Sequence, residues 1–191
     1  IAKTMVQLNQ KTLGIIGYGA IGKATAKLAK QFGMHVIATR RLQKTVTHNR
    51  FTDHLIPLSQ INKLYTESDF IAITCPLTPM TKNMISFNQF KLMKENTYLI
   101  NIARGEIIND EALMDALEKH KISGAALDVF NKEPLDKNHP YFQFDNVFLS
   151  PHISGNFKQY QKNMIKQFNE LLIKFINNKN IKNRVCKKRL Y

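Results

Sequence analysis

A chain of 191 residues with 43% hydrophobic side chains can bury a substantial core as one domain and would be squeezed by two. No apolar run is long enough to span a bilayer, and the start, IAKTMVQLNQ, lacks the charged-then-apolar pattern of a signal peptide, so a cytoplasmic setting without a membrane partner is expected. Because the first residue is Ile1, part of a longer parent polypeptide is expected ahead of it. The formal net charge is +14, but from Pro151 onward ten basic residues face one acid, Glu170, so that segment carries nine of the excess charges. No basic strand interleaved with aromatics accompanies it, which favours a solvated basic helix face and tail over a nucleic-acid site. Two cysteines far apart in sequence, Cys75 and Cys186, read as reduced thiols.

Along the chain, short continuous apolar runs alternate with longer amphipathic stretches. The runs TLGII (12–16), HVIAT (35–39), FIAIT (70–74), TYLIN (97–101), GAALDV (124–129) and VFLS (147–150) read as buried strands. Helices are predicted between them at about 20–32, 58–65, 87–93 and 109–119. Ser86 is the expected N-cap of the third, and Asn109 or Asp110 that of the fourth. Strand and helix in repeated order predict an α/β fold: a Rossmann-type, doubly wound parallel sheet with helices on both faces. A long helix follows at about 156–177, with Met164, Ile165, Phe168, Leu171, Leu172, Phe175 and Ile176 on one stripe. That stripe suits packing on the domain's own sheet or docking against a second domain or subunit. The expected division is a dinucleotide-binding domain over 1–177 and a basic tail over 178–191.

The stretch GIIGYGAIG opens the first helix directly after the first strand and contains Gly17-x-Gly19-x-x-Gly22. Gly17 allows a tight turn, Gly19 lets the backbone approach a pyrophosphate, and Gly22 lets the helix lie close to the strand. The pyrophosphate would sit on the free N–H groups of the helix start. The second strand then ends in VIATRR, where an Asp or Glu would accept hydrogen bonds from the ribose hydroxyls of NAD. Arg40 stands there instead. A guanidinium cannot accept those bonds but pairs with the 2′-phosphate of NADP, with help from Thr39 or Arg41. NADP is therefore the expected cofactor and NAD the second choice.

Three later stretches, INIARGEIIND, GAALDVFNKEPL and LSPHISG, each place a polar residue just beyond a strand. Ligands gather at the carboxyl ends of strands in a parallel sheet, so Arg104, Asp128, Glu133 and His152 are expected to share one crevice. Arg104 would bind a substrate carboxylate and polarise the neighbouring carbonyl, and His152 would exchange a proton with the carbinol oxygen. Glu133 would orient the imidazole and favour its protonated form. His35, His48, His54, His120 and His139 lack metal-ligand spacing, so no metal is expected. Cys75 reads as a packed side chain rather than a nucleophile.

Gly17-Tyr-Gly19-Ala-Ile-Gly22, CPLTPMT, NIARGE, ALDVFNKEPL and SPHISG, in this order, resemble the nucleotide-binding domain of the D-isomer-specific 2-hydroxyacid dehydrogenases, over about 7–177. The resemblance implies that Arg104, Glu133 and His152 are the catalytic three and that hydride passes between a nicotinamide and carbon 2 of a small anionic 2-oxo or 2-hydroxy acid. It implies that Ala20 and Ile21 meet the pyrophosphate, that Cys75 and Pro76 line the adenosine side, that Ile102 and Ala103 line the nicotinamide side together with Asp128, and that Gly155 belongs to the cofactor site. It also implies a homodimer and a substrate-binding lobe ahead of the first glycine motif, outside this sequence. Arg40 departs from the family's usual acid and is similar to the glyoxylate/hydroxypyruvate reductase branch in that respect. The alternative is a dinucleotide-binding module without catalysis, truncated or acting as a sensor in the manner of the family's corepressor relatives.

Overall fold

The computed structural model describes residues 5–181 and 184–186. Parts of the predicted basic tail, at 182–183 and 187–191, lie outside the described residues. The chain forms two compact units, the first running to His152 and the second beginning at Ile153.

The first unit is built on β1 (Thr12–Ile16), α1 (Ala20–Gln31), β2 (His35–Thr39), β3 (Thr47–Asn49), β4 (Thr52–Ile56), α2 (Ile61–Glu67), β5 (Phe70–Ile73), α3 (Phe87–Leu92), β6 (Tyr98–Asn101), α4 (Asp110–Glu118), β7 (Gly124–Leu127) and β8 (Val147–Leu149). The strands make one sheet in the order β3-β4-β2-β1-β5-β6-β7-β8. Every neighbouring pair is parallel except β3 with β4. β2 lies on one side of β1 and β5 on the other, so the connections leave β1 in opposite directions. That is the switch point at which an open parallel sheet forms a crevice at its carboxyl edge.

Residue parity sorts the core into two layers. Ile16, Ile37, Ile71, Ile73, Leu99 and Leu127 bury one face of the sheet with Leu64, Tyr65, Phe90, Leu113 and Leu117 from α2, α3 and α4. Leu13, Ile15, Val36, Ala38 and Ala72 bury the other with Ala26 and Ala29 from α1. Strands buried on both faces show apolar residues without alternation, which is why β1, β2 and β5 stand out in the sequence.

The caps follow their residue types. The Gln89 side chain accepts from the Ser86 N–H at 3.1 Å at the start of α3, and Asn109 accepts from the Ala112 N–H at 2.9 Å at the start of α4. Two strands come without a sequence signal. β3 is exposed throughout, and β4 mixes buried Thr52, Leu55 and Ile56 with Asp53 and an exposed His54. The Asp53 carboxylate accepts the Val36 N–H at 2.7 Å and pairs with Lys30 at 2.9 Å, tying β4 to β2 and α1.

The second unit holds α5 (Tyr160–Ile176), shorter at its start than the predicted helix from about 156. The Phe157 ring meets Tyr160 edge-on at 5.7 Å just ahead of it.

Candidate active site

The glycine turn lies between β1 and α1 at the switch point. Gly17 has φ +104°, a conformation that L side chains rarely adopt, and a Cβ there would stand 2.6 Å from the Cys75 backbone nitrogen. A Cβ on Gly22 would strike the Gly17 carbonyl oxygen and reach Ile15 at 3.1 Å. At Gly19, the N-cap of α1, a Cβ would meet nothing within 4 Å, and no side chain caps the helix. Two glycines are thus required by the protein's own packing, while the third opens onto free space in front of the helix N–H groups. Ala20 and Ile21 are exposed in that first turn. This cradle fits a dinucleotide's pyrophosphate.

The Thr39 carbonyl accepts the N–H groups of Gly17, at 3.2 Å, and Tyr18, at 2.9 Å, so the end of β2 is tied to the glycine turn. Arg40 and Arg41 follow at once and are exposed. The Arg40 guanidinium has no ion-pair partner among the described residues. Thr39 itself is buried, and its hydroxyl lacks a hydrogen-bond partner. Across the switch point, Thr74 donates to the Gly17 carbonyl at 2.7 Å. Cys75 is buried against Gly17, and burial pushes its thiol up to about 11. Pro76 beside it is exposed.

The second group lies at the carboxyl ends of β6, β7 and β8, which are adjacent. The Glu133 carboxylate works in two directions: Oε1 accepts the Phe130 N–H at 3.0 Å, and Oε2 lies 2.8 Å from His152 Nδ1. The His152 hydrogen bond, then the Phe130 N–H, hold this carboxyl below the usual carboxylate range, and the Arg104 guanidinium adds to the effect at longer range. The imidazole is half-exposed, and its backbone adopts φ +54° with its N–H donated to the Ser150 carbonyl at 3.0 Å. A histidine held in a left-handed conformation at a strand end is strain of the kind found at functional sites. Arg104 is exposed beyond β6, with Ile102 and Ala103 partly buried behind it. Asp128 is buried, and its carboxylate accepts the Ser150 hydroxyl. Gly155 lies in the second unit, exposed, with open space where a Cβ would stand.

Two residues do structural work that the motif reading passes over. A Cβ on Gly105 would collide with the backbone of Phe130 and Asn131, so this glycine presses the Arg104 loop against the Glu133 loop. Ser150 serves both neighbours, giving its hydroxyl to Asp128 and its carbonyl to His152. A bare glycine after an arginine and a serine before a proline carry no distinctive spacing.

A groove of about 1070 Å³ lies elsewhere, along β5 to β8, where Phe70, Tyr98, Ile100, Ala126 and Phe148 line it, and it includes none of the candidate residues. Among the described residues, no group of three or more His, Cys, Asp or Glu is placed to hold a metal ion. No helix among them is long and apolar enough to cross a membrane.

Residues 2–154 match the family model described as D-isomer specific 2-hydroxyacid dehydrogenase, NAD binding domain. The chain belongs to that family. Among family members, the chain is 42% identical over 145 residues to a glyoxylate reductase of Thermococcus onnurineus, covering 76% of this chain and 42% of the relative. It is 38% identical over 174 residues to a glyoxylate reductase of Aeropyrum pernix, covering 91% of this chain and 51% of the relative. A solved D-isomer specific 2-hydroxyacid dehydrogenase from Xanthobacter autotrophicus, in complex with NADPH and MES, superposes with a TM-score of 0.87 at 26% identity, over 95% of this chain and 73% of that one. The chain thus spans about half the length, or less, of these curated 2-hydroxyacid dehydrogenase relatives.

Proposed function

We propose that this chain is the cofactor-binding part of an oxidoreductase that transfers a hydride between NADP(H), with NAD(H) as second choice, and a small anionic D-2-hydroxy or 2-oxo acid. The observation that carries the reading is the Glu133–His152 pair at 2.8 Å, at the carboxyl edge of the sheet that also carries Arg104 and the open glycine turn. The glyoxylate reductase relatives support a small 2-oxo acid as substrate.

The turn from Gly17 to Gly22, with Ala20 and Ile21, would hold the pyrophosphate on the N–H groups of α1. Arg40, with Thr39 and Arg41 beside it, would meet the 2′-phosphate in a charge-assisted fork. Cys75 and Pro76 would flank the adenosine, and Ile102, Ala103 and Asp128 the nicotinamide side. When bound, the dihydronicotinamide supplies the hydride that reduces carbon 2.

The rest of the chemistry belongs to the chain's own side chains. Arg104 binds the substrate carboxylate and draws electron density from the adjacent carbonyl oxygen. His152 uses Nδ1 to engage Glu133, which leaves Nε2 to protonate the developing alkoxide. Glu133 holds the imidazolium that donates this proton, and solvent restores it after turnover. In the direction of oxidation the neutral imidazole accepts the proton instead. The same reading makes the protein a homodimer, and a light-scattering mass of one chain across a range of concentrations would count against that part.

The test is turnover of glyoxylate with NADPH and with NADH, in the protein and in its Arg104→Ala and His152→Ala variants. Losses of about 100-fold or more in kcat/KM for either variant support the roles given above. Turnover unchanged in both would refute them.

A further inference from the structure

We propose that Asn101 is the positioning residue for Arg104, setting the loop on which the substrate-binding guanidinium stands; this rests on the function proposed above. Asn101, the last residue of β6, carries its side-chain amide buried, at 1% exposure. Both halves of that amide are in use. Oδ1 accepts the Ala103 N–H at 3.0 Å, and Nδ2 donates to the Arg104 carbonyl at 2.9 Å. The main-chain carbonyl of Asn101 accepts the Asp128 N–H at 3.0 Å.

These three bonds run to residues on both sides of the proposed chemistry. The backbone of 103–104 is held from below at an N–H and at a carbonyl, and the Arg104 Nη1 donates to the remaining Ala103 carbonyl at 2.6 Å. The guanidinium therefore leaves the loop from a fixed base, with its other N–H groups exposed and without an ion-pair partner among the described residues. The residue type is dictated by this arrangement. An aspartate offers acceptors only and would face the Arg104 carbonyl with a second oxygen, a glutamine is one methylene too long, and an alanine leaves the part-buried Ala103 N–H and Arg104 carbonyl without these partners.

A small error in the loop becomes a large error at the tip of an arginine, and misplacement of about 1 Å costs on the order of 100-fold in rate. The consequence is selective. Because the Asp128 N–H is held by the main chain of Asn101, exchanging the side chain leaves that bond in place and disturbs the 103–104 loop, most of all at the long Arg104 side chain.

The experiment compares the protein with Asn101→Asp and Asn101→Ala by steady-state kinetics with glyoxylate and NADPH, and follows amide hydrogen exchange at Ala103. The expected result is KM for glyoxylate raised about tenfold or more in both variants, a smaller rise in KM for NADPH, and faster exchange at Ala103 in Asn101→Ala, since the aspartate keeps an acceptor for the Ala103 N–H. Unchanged constants, or a parallel rise in both KM values, would overturn the positioning role. Should neither variant fold, exchange in the unaltered protein decides: protection of the Ala103 amide by about 100-fold or more is required, and exchange at the rate of an unstructured peptide overturns the proposal. A protein that turns over no 2-oxo acid would refute the proposed function, and the Ala103 exchange measurements would still report whether Asn101 holds the loop.

Discussion

Glu133 and His152 are joined at 2.8 Å while the other oxygen of the same carboxylate is taken by the Phe130 N–H at 3.0 Å. A carboxylate fixed at both oxygens cannot swing away, so the imidazole it holds is fixed too. The pair stands on loops from β7 and β8, and Gly105 brings the loop from β6 against the same Phe130–Asn131 backbone.

Replacing Glu133 by Gln keeps the shape and removes the charge. A loss of about 10- to 100-fold in kcat/KM for a 2-oxo acid is expected, since the imidazolium loses its counter-charge. The carboxyl lies below its usual range in the folded chain, through the His152 hydrogen bond first and the Phe130 N–H next. Its contribution to stability is therefore complete above the unfolded value and is lost as pH falls through the folded one. Thermal unfolding of both proteins should differ at neutral pH and converge as pH falls through the lowered range of the folded carboxyl.

Two glycines of the turn, Gly22 and Gly19, are expected to fail differently. Gly22→Val drives a side chain into the Gly17 carbonyl and should destabilise the fold by about 3 kcal/mol or more. Gly19→Val meets open space and should leave the melting temperature nearly unchanged while abolishing dinucleotide binding. Calorimetric unfolding and cofactor titration on the two variants separate these outcomes.

Asp69 accepts the Thr12 N–H at 2.8 Å, Asn96 at 3.2 Å and Lys94 at 3.3 Å, binding β1 to the connection ahead of β6. Burial pushes this carboxyl up, but those three partners outweigh it and leave it below the usual range. Asp69→Ala should cost about 2 kcal/mol at neutral pH by denaturant unfolding. The difference should shrink as the solution is acidified through the carboxylate range, because protonation removes in the parent what the substitution removes in the variant.

Thiol reactivity should divide the two cysteines. Cys75 is buried with its thiol pushed up to about 11, whereas Cys186 is partly exposed. At neutral pH a thiol reagent should modify one cysteine per folded chain, identified as Cys186 by peptide mapping, and two after unfolding.

Much of the sheet was legible because β1, β2 and β5 are buried on both faces and read as unbroken apolar runs. β6, β7 and β8 were legible for their short runs even though the groove leaves Tyr98 and Phe148 exposed on one side. β3 and β4 were not, because Thr47, His48 and Asn49 are all exposed and β4 carries Asp53 and His54 in its middle. Their pairing depends on partners distant in sequence, Lys30 and Val36, which no local pattern announces. At the candidate site, the strand-end rule brought Arg104, Glu133 and His152 into view. What escaped was the support beneath them: that Asn101 bridges Ala103 and Arg104, that Ser150 bridges Asp128 and His152, and that Gly105 abuts Phe130. Such contacts depend on three-dimensional register.

The most direct test of the cofactor site is titration of the chain with NADPH and with NADH, repeated on Arg40→Asp. The proposed site predicts NADPH bound at least about tenfold more tightly, a difference of about 1.4 kcal/mol, that collapses or reverses in the variant. Equal affinity for the two cofactors in both proteins, or binding of neither, would contradict it.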